Sequence, residues 1–147
     1  MLDYIINPAL MGGLVKEVDA DTVKIHLHGR LGVITVPRRL ILDPNPLEPG
    51  HELKFYFSYL QVREHPYDYD ASPLCNAAEM VPALIGGELT EVNDTAVSAR
   101  IQDGLGTVAV PRRWVFTDVP LAVGQSVEFY LSPMQVAGKK DIPVKSI

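Results

Sequence analysis

The sequence predicts an all-β protein of two tandem small antiparallel barrels. Three observations predict it: a phrase written twice, two-residue alternation within each copy, and turn chemistry between the alternating runs. The phrase is Leu31-Gly32 followed by Val36-Pro37-Arg38-Arg39, and it returns at the same spacing as Leu105-Gly106 followed by Val110-Pro111-Arg112-Arg113. Around it, Pro8-Ala9-Leu10 and Gly12-Gly13 recur as Pro82-Ala83-Leu84 and Gly86-Gly87, and the correspondence continues without insertion to Gln61-Val62 and Gln135-Val136. The offset is 74 residues throughout, and 22 of the 55 positions from Pro8 to Val62 are identical. A period this long, used twice, is a pair of like units and not a stacked solenoid. The expected division is residues 1–70 for the first barrel and 71–147 for the second.

Within each unit the elements follow in order. Leu14-Val15 to Val18 reads as a first strand, and Asp19-Ala20-Asp21 or Val92-Asn93-Asp94 supplies turn residues. The second strand alternates: Val23, Ile25 and Leu27 face one way and Lys24, His26 and His28 the other, with Val97, Ala99 and Ile101 against Ser98, Arg100 and Gln102 in the second copy. One face is core and the other is wet. Gly29-Arg30 and Asp103-Gly104 give the next tight turn, since glycine tolerates positive φ and Asp-Gly is a favoured hairpin connection. A third strand runs from Leu31 to Val36, and Pro37 stops it, because proline donates no hydrogen bond to a ladder. The two arginines and an apolar triplet, Leu40-Ile41-Leu42 or Trp114-Val115-Phe116, then form a plug. Loops stiffened by proline, Asp43-Pro44-Asn45-Pro46 and Asp118-Val119-Pro120, lead to Gly50 or Gly124, which opens what reads as the longest strand. That strand carries Leu53, Phe55 and Phe57 on one face and Tyr56 on the other, matched by Val127, Phe129, Leu131 and Tyr130. Small antiparallel strands of this kind curl and close, which hides their edges.

Units of about 60 residues bury little more than half of their unfolded surface, so the two are expected to pack on each other about a pseudo-twofold. The connector Arg63 to Val81 is acidic and the tail after Val136 is lysine-rich, which suggests that they lie near one another. The 147-residue chain has 47% hydrophobic and 21% charged residues, and no apolar run approaches the roughly 20 residues of a spanning helix. The N-terminal stretch has no basic residue, unlike a secretory signal, and the single Cys75 allows no intrachain disulfide; both point to the cytoplasm. Cys75 itself reads as an inert residue of the connector. The net charge of −5 repels polyanions overall, so binding of nucleic acid requires a local basic patch.

The order G-x-V-x-x-V, then V-x-I-x-L, then G-x-x-G-x-I-x-V-P, then a strand opened by glycine, as from Gly13 through Pro37 to Gly50, resembles the S1-type OB-fold domain. The likeness covers most of each copy and implies a five-stranded Greek-key barrel that binds single-stranded RNA on its second and third strands. The Val-Pro-Arg-Arg unit also resembles small bacterial β-barrel repeat proteins of unknown function, a likeness that brings no activity with it.

Arg38, Arg39, Arg112 and Arg113 are the leading candidates for contact with a partner, because guanidinium forks bind phosphate or carboxylate bidentately. Side chains adjacent on an extended backbone point opposite ways, so one arginine of each pair is expected outward and the other on neighbouring carbonyls or on the repeated Glu17 and Glu91; the working assignment is Arg39 and Arg113 outward and Arg38 and Arg112 structural, and the reverse is equally compatible with the sequence. Tyr56 and Tyr130 are candidates for stacking on a flat ligand or for packing between the units. His26 and His28, two apart on one strand face, are weak metal candidates with His51 or His65 as a third ligand. There is no phosphate loop, zinc-spaced cysteine pair or nucleophile elbow, and Ser58 and Ser132 have no matching histidine for a triad. The function expected is therefore a non-catalytic interaction module that needs no cofactor. Its partner is a protein or another anionic macromolecule, with an RNA-binding protein of the S1 type and a small-molecule or metal-responsive module as alternatives. Self-association into a homodimer is a further option, and no membrane is implied.

Overall fold

Alternating apolar and polar residues produce the strands of the computed structural model, which describes residues 6–42, 46–75 and 79–139. The first half supplies β1 (Ala9–Val18), β2 (Thr22–Leu27), β3 (Val33–Pro37), β4 (His51–Phe57) and β5 (Leu60–Arg63). After a single helical turn, α1 (Ser72–Cys75), the second half supplies β6 (Ala83–Val92), β7 (Ala96–Ile101), β8 (Thr107–Pro111), β9 (Val115–Phe116), β10 (Ser126–Leu131) and β11 (Gln135–Lys139). The protein is all-β, and among the described residues no helix is long and apolar enough to cross a membrane. The lysine-rich tail beyond Lys139 and the loop Asp43-Pro44-Asn45 lie outside the described residues.

The alternation puts Val23, Ile25 and Leu27 in the core with Val97, Ala99 and Ile101, while His26, His28 and Arg100 stay exposed. Phe55 and Phe129 are both fully buried at matching positions. Side chains from both halves enter one contiguous apolar cluster. The longest strands are β1 and β6, of ten residues each, and not the strands after Gly50 and Gly124. A register shift between Val15 and Glu17, and again between Leu89 and Glu91, breaks their alternation, so their length does not show as a pattern.

The eleven strands of the described residues join one sheet, in the order β11-β4-β1-β2-β3-β8-β7-β6-β10-β5-β9, with a further pairing of β4 to β10. β1 lies between β2 and β4, and β6 between β7 and β10, antiparallel in every case and at registers that agree through the 74-residue offset. The halves meet along two seams. At the first, β3 and β8 pair antiparallel, Ile34 opposite Val108 and Val33 opposite Ala109. Gly32 and Gly106 flank this seam at φ near +104° and +103°, and a Cβ on either would lie 1.8 Å from a carbonyl oxygen of the other half, that of Ala109 or Thr35. The repeated Leu-Gly therefore marks a close approach of two backbones as well as a turn. At the second seam β4 meets β10, Phe57 opposite Leu131. There the Ser132 Oγ accepts from the Tyr56 N–H at 2.7 Å and the Ser58 Oγ from the Tyr130 N–H at 2.8 Å.

The last strand of each half crosses to the other. β5 runs antiparallel to β10, Val62 opposite Val127, and parallel to β9, Leu60 opposite Val115. Correspondingly β11 runs antiparallel to β4, Val136 opposite Leu53, and Met134 bridges in parallel to Ile41. With the two seams, the pairings close one ring through β4-β1-β2-β3-β8-β7-β6-β10, while β5 and β11 cross the division at residue 70 in opposite directions.

Candidate anion-binding face

The arginine pairs follow Pro37 and Pro111, whose extended backbone (φ −62° and −61°) leads into the 3-10 turns Arg38–Leu40 and Arg112–Trp114. A 3-10 turn rotates successive side chains by about 120°, so neighbouring arginines splay without pointing to opposite faces as a strand would make them. Leu40 is fully buried as the plug of the first turn. Trp114 plugs the second, half-buried, its indole N–H donating to the Ser58 carbonyl at 3.0 Å and its ring stacked on Tyr59 with centroids 3.8 Å apart. Arg38 is half-buried, and Arg39, Arg112 and Arg113 are exposed. Arg112 donates through Nη1 to the Asn93 carbonyl at 2.8 Å, a contact within its own half. Arg113 crosses the β3–β8 seam and donates through Nη2 to the Arg30 carbonyl at 3.2 Å.

That contact brings Arg113 to the end of a basic row. Lys24 and His26 lie on the outer face of β2, because strand side chains repeat with period two, and the turn that follows leaves His28 and Arg30 exposed, Arg30 at a φ of 57°. Partial desolvation of the otherwise exposed His26 imidazole pushes its pKa below the ordinary 6.5, the positive charges of Lys16 and Lys24 push it further the same way, and Glu17 opposes them. His28 lies over Gly12, where a Cβ would come within 2.6 Å of its Cδ2. Lys16, Lys24, Arg30 and Arg113 therefore bring permanent positive charge to one face. At the 74-residue offset the second half has Thr90, Ser98, Arg100, Gln102 and Gly104 in place of Lys16, Lys24, His26, His28 and Arg30, and there Arg100 meets Glu88 at 3.4 Å. The basic row belongs to the first half alone.

Of the residues singled out from the sequence, Arg113 reaches the turn that carries His28, and His26 lies on the strand that leads into that turn. Tyr56 and Tyr130 sit half-buried at the other seam, where their backbone N–H groups meet Ser132 and Ser58. Among the described residues no three His, Cys, Asp or Glu side chains gather as a metal would require. Sequence reasoning missed Lys16, Lys24 and Arg30. The signal for two of them was present, a basic residue at every second position from Lys24 to Arg30. No protein-family model and no curated protein matches this sequence.

Proposed function

We propose that the chain is a non-catalytic binding module, built as two duplicated S1-like OB barrels, that holds an acidic segment of a partner protein against the β2 face of its first half. Support for two like units comes from the repeated register, β1 between β2 and β4 and β6 between β7 and β10, and from the matching exchange of β5 and β11 between the halves. The observation that carries the binding reading is the row Lys24, His26, His28 and Arg30, extended by Arg113 from the other half. Guanidinium forks and ammonium groups on one face complement carboxylates. A protein partner is favoured over RNA because the outer positions of β2 and β3, which are Lys24, His26, Val33 and Thr35, offer bases no Phe, Tyr or Trp to stack on.

The test is fluorescence anisotropy of a labelled deca-glutamate peptide at low salt. Lys24→Ala with Arg30→Ala is expected to weaken binding about tenfold, roughly 0.7 kcal/mol per cation, which is within the range of exposed ion pairs. Binding unchanged in the double variant overturns the reading. A labelled oligouridylate is the competing probe: capture by the same residues, with affinity falling about 0.7 log units per log unit of salt for each phosphate neutralised, would favour the S1-type function instead. Partial desolvation and the charges of Lys16 and Lys24 hold the His26 pKa below its ordinary 6.5, so its ring takes up a proton at lower pH than an ordinary imidazole. Peptide affinity should therefore rise as pH falls below that value, and His26→Gln should flatten the rise.

A further inference from the structure

The second half has a cleft of about 440 Å³ between the connector Pro66–Tyr69 and the surface of β6, β7 and β10, with Gly86 and Gly87 as its floor. A ligand-sized volume of this order is typical of small-molecule sites. Its wall is held from behind. The Tyr69 hydroxyl donates to Glu128 Oε1 at 2.9 Å, Arg63 Nε meets the same oxygen at 3.1 Å, and Glu128 is only 5% exposed. Arg63 lies 4.7 Å under the Tyr67 ring, and Gln102 clamps the connector to the floor by donating to the Tyr69 carbonyl at 3.1 Å and accepting from the Gly86 N–H at 2.6 Å. The tyrosines are thus preorganised before any ligand arrives.

We propose that this cleft binds a small organic cation, an aliphatic ammonium or guanidinium with an apolar stem. The charged groups that line it are Asp68, Glu88, Asp103 and Arg100, and Arg100 is engaged by Glu88 at 3.4 Å. That leaves Asp68 and Asp103 to set the sign, while Tyr67, 60% exposed, offers an aromatic edge or face for the stem. The repeat supplies an internal comparison: at the 74-residue offset Glu88, Asp103 and Gly104 correspond to Leu14, Gly29 and Arg30. The acidic positions 88 and 103 have no acidic counterpart in the first half, whose own carboxylate, Glu52, stands at the place of Ser126. This site is distinct from the face proposed for the acidic partner and stands or falls independently of it.

Isothermal titration calorimetry of the full chain at low salt, with spermidine and with arginine amide as probes, tests the proposal. Binding of at least one is expected, weakened tenfold or more by Asp68→Asn with Asp103→Asn. Asparagine tolerates the positive φ of 56° at position 103, so the double variant keeps the turn. Lys24→Ala should leave cation binding unchanged, which separates this site from the basic face. Preference for spermidine identifies a free polyamine, and preference for arginine amide identifies a basic side chain. No heat with either probe at millimolar concentration, or binding that the double variant leaves intact, overturns the proposal.

Discussion

A methyl group at Gly32 would collide with the Ala109 carbonyl, and one at Gly106 with the Thr35 carbonyl, each at a backbone φ that L-residues avoid. Gly104 also has a positive φ, +68°, but nothing lies within 4 Å of its Cβ direction. Gly104→Ala should therefore lower stability by about 1–2 kcal/mol from conformation alone. Gly32→Ala or Gly106→Ala should lower it by more than about 3 kcal/mol, since the seam itself must part. Urea midpoints of the three variants check the contrast, and equal losses would contradict the close approach. Tyr69 makes a second prediction. Burial, aided by its bond to Glu128, pushes its hydroxyl up to about 12. A raised folded-state pKa stabilises below the unfolded value of 10 and loses that contribution as pH climbs towards 12. The stability advantage of the native chain over Tyr69→Phe should narrow across that window, and a late tyrosinate absorbance step should vanish in the variant. At this scale the sequence is informative where its neighbours are local: the Val23-Ile25-Leu27 alternation and the Asp103-Gly104 turn are both legible. It is silent where the decisive neighbour lies in the other half, so Gly32 passes for an ordinary turn glycine and Arg113 gives no hint of Arg30.

Among elements, the decisive pairings are those of β5 and β11. The sequence marks four strands in each half, but no local pattern tells a strand which edge it will pair with, because Gln61-Val62 and Gln135-Val136 are equally compatible with either half. The repeated serines were a usable clue, read only as lacking a triad partner. Ser58 and Ser132 are nearly fully buried, and each takes the backbone N–H of a tyrosine from the opposite half. Ser58→Ala or Ser132→Ala should each cost about 1–3 kcal/mol by stranding that donor. Because both bonds close one seam, a double-mutant cycle should show coupling of about 0.5 kcal/mol or more. Strict additivity would mean that the two bonds act independently.

For the molecule as a whole, shared seams and crossed strands mean that neither half can open without breaking pairings in the other. Thermal unfolding should be one transition, with Trp114 fluorescence and far-UV circular dichroism coincident, and separate midpoints would count against the shared core. The crossing of β5 and β11 also sets an order of assembly during synthesis. The strands β5 to β10 are consecutive along the chain, so their pairings with one another are all available once Leu131 has emerged from the ribosome. The first half has β1 to β4 early, but β4 waits for β11, whose partners His51–Lys54 were made long before. At about 5–20 residues per second the delay is roughly 4–15 s. During that interval the outer edge of β4 is an unpaired template, and the half translated first is finished last.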